Sequence, residues 1–194
     1  MFTAILRKLA VRARLFRPIN RLAANNSGAT AVEFGLVAAP FLALLVAILQ
    51  TGVVFLAGRV LDEVVAQSSR YIMTGQAQTG NMTQAGFATY VCGQTIALFT
   101  CGNFMINVQN YTDFASASTS TPSISGFNSS GQALDASGNT ISWTWSPGNP
   151  GDIVVVQVLY QWPLVLGPLG FTLANLSNGN RLLVSTAVFK NEPY

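Results

Sequence analysis

Between Glu33 and Arg59 the chain runs for 25 residues without a charge, and only Gln50 and Thr51 interrupt its apolar or small side chains. A helix needs about 20 such residues to cross the hydrocarbon core of a bilayer, so the run predicts a transmembrane helix. A buried helix of this length in a soluble protein would need a large core on every side. A chain of 194 residues with no second run of this kind is poorly placed to supply one. The composition agrees: 9% of the residues are charged, against about 25% in typical soluble domains.

Orientation follows from the flanks, because Lys and Arg resist translocation. Arg7, Lys8, Arg12, Arg14, Arg17 and Arg21 precede the run with no acidic residue among them, whereas Arg59 is soon followed by Asp62 and Glu63. The N-terminus is therefore expected in the cytoplasm, and everything after about residue 58 beyond the membrane. In a bacterium with two membranes that side is the periplasm. The basic leader has the makings of a short amphipathic helix on the membrane face. It lacks the short apolar core and small-residue cleavage site of a secretory signal peptide. Nothing aromatic or base-reading accompanies its charges, which argues against nucleic acid. Beyond residue 28 the chain holds four basic and seven acidic residues, so the net charge of +3 describes the leader.

The side chains that usually carry catalysis are scarce. Histidine is absent, which removes the usual general base and metal ligand. Asp62, Glu63, Asp113, Asp135, Asp152 and Glu192 are scattered with no paired spacing, and no phosphate-binding glycine loop or nucleophile elbow occurs. The expectation is a protein that is not an enzyme and takes no cofactor or metal. Cys92 and Cys101 have eight residues between them. On an exported, oxidising side a disulfide is expected; two buried thiols are the alternative were this side cytosolic.

The helical pattern continues past the apolar run. Leu61, Val64, Val65, Ala66, Ser68 and Ile72 keep a spacing of three and four, with Arg59, Asp62, Glu63, Gln67 and Arg70 on the other sides. One helix is predicted from Ala29 to about Thr74, stopped at Gly75, with a kink allowed at Pro40. Gly35, Ala39, Ala43 and Ala47 recur every four residues, a ridge of small side chains that lets another helix approach closely. Downstream, a helix capped by Thr83 is predicted to about Phe99. Strands are predicted at 104–109, 141–145, 153–162 and 181–190. A loop rich in Ser, Thr and Gly is expected at 112–140. The apolar piece Pro163 to Leu176, broken by Gly and Pro, reads as a loop or short helix against the membrane-proximal core. The fold class is α+β: a leader (1–28), a transmembrane and amphipathic helix (29–75), and an exported domain built on an antiparallel sheet (76–194).

Glu33 stands at the cytoplasmic edge of the run, where a carboxylate is costly to bury, although the first turns of a helix also favour a negative charge. Its setting is Gly28, then Ala29-Thr30-Ala31-Val32, then Glu33-Phe34, between basic leader and span. This arrangement resembles the class III signal of type IV pilins, and in particular the TadE/TadG-like minor pilins of tight-adherence, Flp-type systems. Gly151-Asp152-Ile153-Val154-Val155-Val156, Tyr160-Gln161-Trp162-Pro163 and the ending Phe189-Lys190-Asn191-Glu192-Pro193-Tyr194 resemble the same group. The resemblance implies that a prepilin peptidase cuts after Gly28, that Ala29 becomes the new N-terminus, and that Glu33 and Phe34 serve assembly with other pilins in the cytoplasmic membrane or the pilus. Major Flp pilins are very short, so an exported domain of this size implies a minor pilin or pseudopilin. The alternative is an uncleaved, signal-anchored protein whose exported domain binds a partner.

Overall fold

The computed structural model describes residues 28–95, 98–119, 124–128, 131–165 and 170–194. The leader helix expected before Gly28 lies outside these residues. Two compact units, Met1–Val46 and Ala47–Tyr194, divide the chain. The division falls inside helix α1, Ala29–Met73, which runs without a break through Pro40.

In the first unit the helix presents Val32, Phe34, Leu36, Val37, Phe41, Leu42 and Leu44 as exposed side chains. An apolar helix surface this exposed is a candidate membrane span by length and composition. In the second unit α1 turns amphipathic, as the spacing predicts. Its buried stripe is Val54, Ala57, Leu61, Val64, Val65, Ser68, Ser69 and Ile72. Ser69 takes the place expected for Ala66, which is exposed, because Ser69 lies four residues on from Val65 and so shares its face.

That stripe packs against a three-stranded antiparallel sheet formed by β1 (Phe104–Tyr111), β4 (Ile153–Trp162) and β5 (Arg181–Lys190), in the order β1-β4-β5. A two-stranded ribbon, β2 (Gly126–Phe127) with β3 (Ala133–Leu134), stands apart from it. Strand β4 is central because both its faces are apolar, as the run Ile153-Val154-Val155-Val156 requires. Val154, Val156, Val158, Tyr160 and Trp162 join the α1 stripe in the main core. Ile153 and Val155, on the opposite face, pack with Ala117 and Tyr111. Ala117 belongs to the short helix α4, Phe114–Thr119. Fully burying one Leu, Val or Phe of such a core contributes about 1.5–3 kcal/mol, so the face between α1 and β4 carries much of this unit's stability.

Two expected elements differ. Helix α3 spans Gln84–Gln94 with Thr83 as its N-cap, the hydroxyl accepting from Gly86 N–H at 3.1 Å. It ends before Phe99 because Thr95 is extended and turns its N–H and hydroxyl back onto the Cys92 carbonyl. The chain then folds onto the Cys92–Cys101 disulfide. Phe99 is freed to stack among Phe104, Tyr160 and Trp162. The strand expected at 141–145 is not formed: a single parallel bridge joins Trp145 to Val108. Thr144 N–H goes to the Asn107 side chain instead of to a strand, and Pro147, without an N–H, stops further pairing. The indole of Trp145 donates to the Met82 carbonyl at 2.8 Å, which ties this segment to the foot of α3. The sheet therefore has three strands, not four. Within 112–140 the described residues carry α4 and the small ribbon rather than continuous loop.

The C-terminus closes the unit. Glu192 N–H donates to the Met73 carbonyl at the end of α1. Asn191 is buried, and its amide donates to the carbonyls of Pro147 at 2.9 Å and Asn149 at 3.1 Å. Gly75 makes the turn from α1 into the one-turn helix α2, Gln76–Thr79, at φ 77°, with the Tyr194 ring against the place a Cβ would fill, so both backbone and space require glycine there. Asp152 accepts from Asn149 N–H and from the Asn110 amide, bonds that hold its carboxyl below the usual carboxylate range.

Candidate processing and assembly segment

The residues singled out around Gly28 lie at one helix start. Gly28 directly precedes α1, is exposed, and has nothing within 4 Å of the position a Cβ would take. Ala29 is the first residue of the helix, so the bond between Gly28 and Ala29 sits where helix meets leader. A peptidase needs an extended, accessible backbone, and glycine leaves that backbone free to adopt it.

Glu33 lies four residues after Ala29, one turn along the same helix, and its side chain is exposed. Residues four apart on a helix are neighbours, so an amine at Ala29 and the Glu33 carboxylate share one face. Among the described residues Glu33 has no ion-pair partner; the single pair found there joins Arg59 and Asp62, both exposed, on the next unit. Phe34 is also exposed. A carboxylate at the edge of an apolar helix, one turn from a position able to carry a free amine, is a group that a low-dielectric setting would drive into pairing.

The row Gly35, Ala39, Ala43 and Ala47 is open at its first two positions. Gly35 and Ala39 are exposed, Ala43 and Ala47 half-buried, and no heavy atom lies within 4 Å of a Cβ built at Gly35. Replacing Ala43 by Leu is expected to leave the protein inserted in membranes at normal level but to lower its co-purification with partner helices several-fold. A larger side chain fills the groove while hydrophobicity rises. Unchanged co-purification would reduce the row to an alanine-rich coincidence.

Cys92 and Cys101 are brought together as expected: their Cα atoms are 5.4 Å apart and the sulfurs are bonded. The bridge closes the turn between α3 and β1. Constraining a loop of about ten residues stabilises a fold by about 2–3 kcal/mol in the loop-entropy account.

One contact escaped sequence reasoning. Gln50 reads there as a polar interruption of the apolar run, yet its Nε2 donates to the carbonyl of Val165 at 2.9 Å across the second unit. Its Oε1 is buried with no donor among the described residues. The available signal was the rule that a polar side chain inside an apolar span has a partner. The identity of that partner, 115 positions away, was not readable.

Residues 28–70, from Gly28 through the amphipathic part of α1, match the family of TadE-like proteins. No curated protein and no solved structure matches the chain.

Proposed function

We propose, from its TadE-like residues 28–70, that the chain is a minor pilin or pseudopilin that takes part in building a tight-adherence, Flp-type pilus. A prepilin peptidase cuts it after Gly28, and its work is assembly, not catalysis. The observation that carries this reading is the start of α1: an accessible Gly28–Ala29 bond, and an exposed Glu33 one turn further on, with no ion-pair partner among the described residues. In the membrane the leader stays cytoplasmic, α1 spans, and the sheet domain lies on the exported side.

The mechanism follows from the cost of isolated charge. A carboxylate and an ammonium each lose hydration on entering the apolar layer, and pairing offsets that loss. Before the cut, Ala29 carries a neutral amide that offers Glu33 no charge to pair with. Cleavage creates an amine at Ala29, which pairs with Glu33 of the same chain or of a neighbouring subunit. Processing thereby makes the helix end competent to associate. The small-residue row lets the incoming helix approach closely, and the amphipathic half of α1 remains committed to its own sheet domain.

Glu33→Gln tests this reading. The change keeps shape and some hydrogen bonding while removing the charge, so the protein is expected to be cut normally yet to fall several-fold in the sheared pilus fraction. Immunoblots of membrane and sheared fractions check both. Assembly at the parent level would rule out the charge pair.

A further inference from the structure

We propose that Val165, at the start of the connection between β4 and β5, contacts lipid in the outer leaflet beside α1. The proposal rests on the reading of α1 as a span. Counted from Phe34, twenty residues that are apolar or small except for Gln50 reach Val53, a length that fills the hydrocarbon layer. Gln50 lies short of that limit, and its hydrogen bond to the Val165 carbonyl fixes the start of the connection at the same level on the helix.

The surface around that bond is apolar. Val165 is 75% exposed and Phe171, at the other end of the described connection, 39%. Ile48, Leu49, Val53, Phe55 and Leu56 of α1 belong to the same unit and are exposed as well. From Ile153 to Asn180 the chain carries no charge. Arg59 and Arg181 line one cleft of about 420 Å³ with Val54, Phe55 and Asp62, the acid paired with Arg59. The Arg181 guanidinium is fixed there by donating to the Leu173 carbonyl at 3.0 Å. An apolar end bounded by arginines matches the step from acyl chains to phosphate headgroups.

The Gln50 contact singles out lipid as the occupant. Non-helical backbone is tolerated at membrane depth only where its polar groups find partners inside the protein, and a side-chain amide there is costly without one. The bond from Gln50 meets both requirements at once for its N–H and the Val165 carbonyl. A loop tip in water would need no such donor, and solvent would hydrate that carbonyl.

The experiment places an environment-sensitive fluorophore at Val165→Cys in the full chain, reconstituted in phosphatidylethanolamine–phosphatidylglycerol vesicles with and without spin-labelled acyl chains. The native cysteines are bonded to each other and take no label without reductant. Leu42→Cys, within the span, and Ser137→Cys, on an exposed exported turn, are the references. The proposal expects a blue-shifted, lipid-quenched signal at Val165 that resembles position 42 and not position 137. Quenching at 42 with a solvent-like signal at 165 would overturn the lipid contact and leave the span intact. A solvent-like signal at 42 would overturn the span reading and this proposal with it.

Discussion

Gly28→Leu is expected to abolish processing almost completely, with the uncut protein accumulating in membranes, heavier by the leader. The structure makes this a clean test. Position 28 is exposed with no atom near the site of a Cβ, and it precedes α1 instead of lying within it. A leucine there meets no steric obstacle in the folded chain, so loss of cutting reports on the peptidase site, which must accept a bulky side chain where it normally meets none. Immunoblots of membranes read the mass difference directly. The uncut form should also be missing from sheared pili, because Ala29 then carries no amine for Glu33. Normal trimming of the Leu variant would move the cut site elsewhere.

The second large effect is expected in the sheet domain. Asn191→Ala removes a buried amide that donates to two backbone carbonyls, those of Pro147 and Asn149. Each carbonyl keeps a second donor, the Gln78 amide at Pro147 and the Asp152 N–H at Asn149, so the loss is that of two hydrogen bonds, about 2 kcal/mol of unfolding free energy. Denaturant unfolding of the detergent-solubilised protein checks it, with Ser137→Ala, on an exposed turn, as a reference expected within about 0.5 kcal/mol of the parent. The loss is amplified by position: the neighbouring Glu192 N–H holds the last carbonyl region of α1 at Met73. Loosening this clasp unties the helix end from the turn before β4. A variant as stable as the parent would show that the clasp adds nothing.

Asn191 also illustrates where the sequence stopped being readable. Local periodicity carried α1, β4 and β5: the apolar run and the three-and-four spacing set the helix at Ala29–Met73, and the run Ile153-Val154-Val155-Val156 and the alternation of Val184, Thr186 and Val188 mark the two long strands. These signals lie within one element. An asparagine near a chain end reads as solvated, and only the meeting of residues 147–149 with 191 buries it. The same reason explains the strand expected at 141–145, where Ile141, Trp143 and Trp145 alternate correctly. The alternation reflects packing against β1 and α3, while the segment's backbone bonds to β1 are confined to Val108, the Thr144 N–H goes to the Asn107 side chain, and Pro147 cuts further pairing short. The helix expected to reach Phe99 was shortened by the Thr95 turn and the disulfide, constraints that helical spacing does not register.

At the candidate site the division is different. Gly28, Ala29 and Glu33 were legible because the motif is contiguous, and the structure places them on one accessible helix start. The small-residue row was legible as spacing, and the chain leaves its first two positions open. Gln50 was visible only as an interruption, since a hydrogen bond to a carbonyl on a distant connection leaves no local trace.

The central claim is that this chain is a cleaved pilin, and the mature N-terminus tests it most directly. The intact mass of the protein recovered from membranes of cells with an active prepilin peptidase, with sequencing of its first residues, is expected to show a chain that begins at Ala29. A chain that still carries Gly28 and the basic leader in those cells would contradict the account and identify an uncleaved, signal-anchored protein instead.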